Sequence, residues 1–460
     1  MKKNAHAMLG ICAGLALTAA VSADAELVRN PTQVGANVDV GQIVKGDLYV
    51  GTSPQGEIEN EIITRTGVYL TESGVYDDRL TIKLTIGGLF WFASAAPSNT
   101  DFQNRRVQFG PGVGQAQAVY AFGEDPKKPT STLQFGLFSH KYSDAVNLGE
   151  YMYRTGTYPG LLYSGGWSYM NASGYLAQGV RWTMPTMGGL LTHDVTAYME
   201  RGLQPLHDIT PGYMITVKPT PFFNASAGVV WSHAISLNSK RLSPKAEANA
   251  YSKRTNRPVK DAVASGGSVE DSITAYDWAN KDSLGNIGYY TFKGFKVMGR
   301  AALDIGQLAG MESVKPGQFK VYTEVALLGV EDQPYYYEDK TARMPVMFGL
   351  NVPTFGLFDR LTFEGEYLAS AFPNDNANVL QNQYPTPVST PYAFDPDDKQ
   401  FDDWKWTVYL SRKIVNGVTV YAQAASDHLR HFDNAAVPAA RSATPTSKDW
   451  YYVLRLDFGI

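Results

Sequence analysis

The chain of 460 residues carries 40 lysines and arginines against 44 aspartates and glutamates, a near balance without the basic excess of a nucleic-acid surface. Its single cysteine, Cys12, sits in the N-terminal segment, which leaves the rest of the chain without disulfide or thiol chemistry. No apolar run approaches the ~20 residues that a membrane-spanning helix needs, so any crossing of a bilayer falls to strands.

The first residues have the layout of a secretory signal. Lys2 and Lys3 precede the apolar run ending at Val21, and Val21-Ser22-Ala23 or Ala23-Asp24-Ala25 supplies the small-x-small cleavage pattern, giving a signal peptide over residues 1–23. Its removal takes away two lysines and moves the formal net charge from −4 to −6. Residues 24–66 follow as a polar, turn-rich lead-in with little periodicity. Gly67 to Tyr76 is expected to hold a first short strand.

From Arg79 onward the pattern is plain. Leu80, Ile82, Leu84 and Ile86 alternate with Arg79, Thr81, Lys83 and Thr85, a period of two that no helical stripe reproduces. Gln115 to Phe122 and Thr132 to His140 flank the charged turn Gly123–Pro129, a hairpin. Further runs follow at Tyr175–Thr183, Leu191–Arg201, Gly212–Lys218, Phe223–His233, Tyr290–Ile305, Gln318–Leu328, Pro345–Val352, Asp359–Ala369, Trp404–Lys413 and Val418–Asp427. The last stretch is the clearest. Trp450, Tyr452, Leu454, Leu456, Phe458 and Ile460 alternate with Tyr451, Val453, Arg455, Asp457 and Gly459, one oily face and one wet face to the final residue.

With 28 Tyr, 21 Phe and 8 Trp the chain is rich in aromatics, and many stand near strand ends, as at Trp182, Trp231, Trp404 and Trp450. A soluble all-β domain also alternates, but no linker or composition shift divides this chain, and one sandwich of its length would be unusually large. The signal, the strand series and the closing strand together resemble the Gram-negative outer-membrane β-barrel proteins of the porin-like kind.

That resemblance implies an all-β fold: a closed antiparallel transmembrane β-barrel of about fourteen strands (roughly twelve to sixteen), with long loops on one side. Residues 24–66 would be a periplasmic lead-in or a segment lying in the lumen, and residues 67–460 the barrel. The implied function is passive diffusion of small hydrophilic solutes across the outer membrane, and the alternative is a non-conducting structural or surface-binding barrel. The implied partners are outer-membrane lipid, those solutes, the barrel-assembly machinery that reads the last strand, and further copies of the chain. No cofactor is implied. The family's last strand usually closes on Phe, whereas here Phe458 is third from the end.

The wet faces of the strands supply candidate pore-lining residues: Arg79, Lys83, Arg181, Asp194, Glu200, Lys218, Lys296, Arg300, Asp304, Lys320, Glu324, Arg360, Glu364, Glu366 and Lys405. Basic residues outnumber acidic ones only slightly among them, which predicts weak ion selectivity. The connection Tyr142 to Asn171 mixes glycine with aromatics. Either it folds inward, presenting Tyr151, Tyr153, Arg154 and Tyr158 to the lumen as a constriction, or it packs on itself outside. Ser236 to Ile287 is basic in its first half and acidic in its second, either a solvated outer loop or a lid. Asn374 to Asp403 clusters carboxylates, but without the spacing or glycine of a calcium loop, and reads as a hydrated acidic rim.

Enzymatic chemistry finds little support. Ser232-His233, His207-Asp208 and Asp427-His428 are chain neighbours, which on strands face opposite ways. No G-x-S-x-G, HExxH, P-loop or GxGxxG occurs.

Overall fold

A computed structural model describes residues 27–50, 53–92, 107–153, 175–199, 208–232, 234–235, 279–281, 287–289, 294–330, 340–368, 404–427, 430–432, 440–442 and 446–459. Sixteen strands form one closed antiparallel ring. In chain order they are β1 (Gln33–Val50), β2 (Ser53–Tyr76), β3 (Leu80–Phe92), β4 (Val107–Phe122), β5 (Ser131–His140), β6 (Tyr175–Thr186), β7 (Leu191–Met199) and β8 (Ile209–Thr220). The second half comprises β9 (Phe223–Ser232), β10 (Gly294–Asp304), β11 (Lys320–Leu327), β12 (Val346–Asn351), β13 (Arg360–Tyr367), β14 (Trp404–Val415), β15 (Val418–Ser426) and β16 (Trp450–Gly459).

Each strand pairs with its neighbours in sequence, and β16 pairs with β1 from Gly35↔Gly459 to Lys45↔Trp450, which closes the circle and leaves no edge. A three-residue strand, Leu27–Arg29, continues the line of β1 along Gly74–Tyr76 of β2. Two small hairpins, 279–281 with 287–289 and 430–432 with 440–442, form sheets of their own.

The strand count exceeds the expected fourteen or so, and the reason lies in residues 24–66. Far from being a lead-in, that stretch supplies all of β1 and the first half of β2. Its alternation is real but muted. Val34 and Val40 face out while Asn37 and Asp39 are buried inside, yet interspersed glycines and small residues flatten the hydrophobic contrast. The same finding means that residues 33–50 and 53–66 do not lie in the lumen as a separate segment, because they are wall.

Inside and outside are inverted relative to a soluble protein. Val40, Phe348 and Leu454 are 51, 59 and 53% exposed, whereas Asp39, Glu324 and Lys405 are 1, 0 and 1% exposed. Apolar side chains cover the outer wall and charged ones the interior, which suits a barrel whose solvent outside is hydrocarbon. Aromatics mark both ends of the outer wall. Trp231 stacks on Phe295 and Tyr367 lies 5.0 Å from Trp404 at one end, while Tyr120 meets Phe122 edge-on at the other.

Short connections gather at one end: residues 77–79, 187–190, 221–222 and 416–417. Asp77 and Asp78 both adopt positive φ, and Arg79 donates its N–H to the Tyr76 carbonyl, the geometry of a primed hairpin turn. Gly417 has φ +81, and a Cβ there would collide with the Gly459 carbonyl oxygen, so only glycine fits where this turn meets the chain's last rung. Long connections gather at the opposite end, between β5 and β6, β9 and β10, β13 and β14, and β15 and β16.

Candidate functional site

The residues directly after β5 stay inside the barrel. From Lys141 to Tyr153 it folds inward and is almost wholly buried; Leu148 and Tyr151 have no exposed surface. Gly149 and Glu150 take positive φ, and a Cβ on Gly149 would press into the Met347 methyl group. The apolar side of this loop packs with wall residues Phe138, Met214, Met298, Tyr322 and Met347 into the interior cluster of the barrel.

The loop is held by carboxylates that project from the wall. Glu364 on β13 accepts backbone N–H bonds from Val146 (2.6 Å), Asn147 (2.9 Å) and Leu148 (2.9 Å), and the Tyr322 hydroxyl at 2.6 Å. Glu324 on β11 accepts the N–H groups of Glu150 (2.9 Å) and Tyr151 (2.8 Å) and the Tyr142 hydroxyl (2.5 Å). Glu366 takes the Tyr151 hydroxyl at 2.7 Å, and Asp427 takes the Asn147 side-chain amide at 2.6 Å. Strand β13 lies eight strands from β5 in a ring of sixteen, so the loop spans the interior and docks on the far wall.

The loop organises itself as well. The Glu150 carboxylate accepts the Ser143 N–H at 2.7 Å, and the Tyr142 hydroxyl accepts the Met152 N–H at 2.8 Å. Burial, reinforced by the Glu324 and Glu150 carboxylates, holds the Tyr142 phenol well above its ordinary value, so it stays a donor. Burial likewise pushes Tyr153 up to about 12, and its hydroxyl lies 3.0 Å from Thr196 on β7.

One acidic loop residue faces cations instead. The Asp144 carboxylate lies 3.2 Å from Lys320 and 4.0 Å from Arg300, and Arg360 donates to the Asp144 backbone carbonyl at 2.6 Å. Arg300 also donates to the Asn224 side chain.

The sequence-derived candidates therefore separate. Tyr151, Tyr153, Glu324, Glu364 and Glu366 meet at the inward loop, and Arg300, Lys320 and Arg360 surround Asp144. Arg181 pairs with Asp194 at 2.8 Å across β6 and β7. Lys83 stands on the inner face of β3, half-buried, Lys218 is exposed near the end of β8, and Lys296 is buried inside. Lys405 is buried directly across the register from Glu366.

Two candidates are engaged at the short-turn end. Arg79 lies in the 77–79 turn, where its guanidinium donates to the Gly123 and Glu124 carbonyls. Asp304 caps the single-turn helix 305–308, accepting N–H bonds from Gln307 and Gly317. Glu200, Arg154 and Tyr158 lie outside the described residues, as do the stretches 236–278 and 369–403. Sequence reasoning missed Asp144, Asn147 and Glu150, whose polar character gave no clue to an inward fold. It also missed Asp39, whose pairing with Arg455 joins the first strand to the last.

No protein-family model matches the chain, and no curated protein matches it. Among solved structures it is similar to Pseudomonas putida OprB (10% identity, 94% of each chain, TM-score 0.47) and to a mutant of the Rh. blastica porin (10% identity, 94% of this chain and 100% of that one, TM-score 0.41). It is also similar to the outer membrane channel DcaP of Acinetobacter baumannii (10% identity, 96 and 99%, TM-score 0.39). Likeness this distant adds nothing to what the chain's own register and burial show.

Proposed function

We propose that the protein is a porin-like channel of the bacterial outer membrane through which small hydrophilic solutes diffuse passively. The observation that carries this reading is the combination of a sealed ring with an inverted distribution of side chains. Its apolar exterior suits lipid, and closure satisfies the backbone groups of every strand. The charged interior gives solutes a polar path, and the loop from Lys141 to Tyr153 narrows that path from within. Diffusion needs no chemistry: selection comes from the width beside the loop and from the fixed charges around it. The closing strand, apolar at alternate positions to Phe458, is the segment that an outer-membrane assembly machinery would read.

The experiment is a planar-bilayer recording of purified protein. Stepwise ion conductance is expected, and a complete absence of steps would replace this reading with that of a structural or surface-binding barrel.

A further inference from the structure

By composition the basic lumen candidates only slightly outnumber the acidic ones, but burial treats the two signs differently. Glu324, Glu364, Glu366 and Asp427 are each at most 4% exposed, and each is occupied by loop amides or tyrosine hydroxyls. Asp194 and Asp39 are buried beside Arg181 and Arg455, and Asp304 is buried as a helix cap. Those carboxylates are withdrawn from the water in the barrel.

Lys296, Lys405 and Arg455 are buried as well, but six other cations are not. Lys83, Arg181, Lys218, Arg300, Lys320 and Arg360 all keep solvent-exposed surface on inner strand rungs near the short-turn end. Among the described residues on those rungs and on the inward loop, the accessible carboxylates are Asp144, 33% exposed at its side chain, and Asp457, 24% exposed beside Arg455. Three of the cations share Asp144 or its carbonyl, so their combined charge exceeds its own.

We infer that the lumen is an anion filter: the channel passes small anionic solutes, those carrying carboxylate or phosphate groups, in preference to cations of equal size. The inference rests on the channel reading. Its physics is that of a low-dielectric wall focusing fixed positive charge over a path comparable with the ~8 Å Debye length of physiological salt. The guanidinium groups of Arg300 and Arg360 are held by Asn224, Thr362 and the Asp144 carbonyl, and with Lys320 they act as fixed charge toward a passing carboxylate or phosphate. The loop contributes by occupying the opposing acids and covering them from the water path, so that docking the loop and setting the selectivity are one arrangement.

The test is the reversal potential of the full-length protein in planar bilayers under a potassium chloride gradient. The expected result is a chloride-over-potassium permeability ratio above one, lowered by Lys83→Gln and lowered further by Lys83→Gln combined with Lys320→Gln. Inorganic phosphate added to one side should reduce the chloride current in the native protein and less so in the Lys83→Gln, Lys320→Gln protein. Lys83→Gln leaves the loop anchors intact, so it reports even if the double variant folds poorly. A cation-preferring or non-selective conductance would overturn the anion filter while leaving the channel standing. An anion preference unmoved by both variants would overturn the assignment to these residues. Absence of conductance would sink the channel reading itself and the filter with it.

Discussion

Asp39 and Arg455 stand opposite each other across the seam between β1 and β16, and the guanidinium grips both carboxylate oxygens at 2.6 and 2.9 Å. The residues are 416 positions apart in sequence, and each side chain is only 1% exposed. This pair fastens the two ends of the chain at the point where the ring has to close, and it fixes which rungs meet. A one-residue slip would turn Arg455 toward the outer wall and break both bonds.

Removing one partner leaves a buried charge without its counterion. Arg455→Met is expected to cost about 3–5 kcal/mol. Replacing Asp39 with Asn in the same protein should recover part of that loss. Urea unfolding of the folded barrel in detergent, followed by its heat-modifiable gel mobility, measures both. If the single and double variants unfold at the same urea concentration as the native protein, the seam pair does not hold the ring.

Glu364 is the principal anchor of the inward loop, because three consecutive amides converge on its two oxygens. Glu364→Ala leaves those donors unsatisfied, at about 1–3 kcal/mol each when buried. The wall does not depend on this side chain, so the barrel should still assemble. Single-channel conductance and open-channel noise should both rise as the loop comes off the far wall. Native conductance in that variant would mean that the loop is kept in place by its apolar packing alone.

How much of this is legible in the sequence follows from what alternation can report. Strands β3 and β16 carry a strong contrast because large aliphatics such as Ile82 and Leu454 face outward between polar rungs, and both strands are plain in the sequence. Strand β1 offers Gly35, Ala36 and Gly41 among its rungs, so its contrast is too weak to tell a wall strand from a lead-in. The candidate carboxylates Glu324, Glu364 and Glu366 are visible as wet-face residues, but their partners are not. Those partners include backbone amides of a loop more than 170 residues away, and backbone groups carry no sequence signature. The sign of the lumen is illegible for a related reason: composition counts charges, and only burial tells which of them reach water.

The Tyr142 hydroxyl predicts an alkaline transition. Its value in the folded protein lies well above the ordinary 10.0, raised first by burial and then by Glu324 and Glu150. The folded state therefore holds this proton more tightly than the unfolded one. The stabilisation is fully present below the unfolded value of about 10 and is lost as pH rises from there through the raised folded value. Loop docking should weaken over that range, seen as a rise in conductance above about pH 10. Tyr142→Phe has no proton to lose and should abolish that step, while starting from a more loosely docked loop because Glu324 and the Met152 N–H each lose a partner. A step of equal size in the variant would assign the transition to another group.

The inverted wall makes opposite demands at neighbouring rungs of one strand. Leu454 lies midway along β16 and is 53% exposed on the outer face, while Val453 beside it is fully buried inside. A cation at the bilayer midplane costs about 2–4 kcal/mol on the lipid face of a barrel. Leu454→Arg should therefore lower the unfolding free energy, read by urea titration in lipid vesicles, by that amount. The inner rungs already carry arginine and lysine, so Gln423→Lys on adjacent β15 should fold with a smaller loss, limited to its bonds with Tyr451 and Asp427. The comparison must be made in bilayers, because a detergent belt adapts to a surface charge more readily than hydrocarbon of fixed thickness does. Equal losses for the two variants would mean that Leu454 does not face lipid, and the apolar exterior would then need a different occupant.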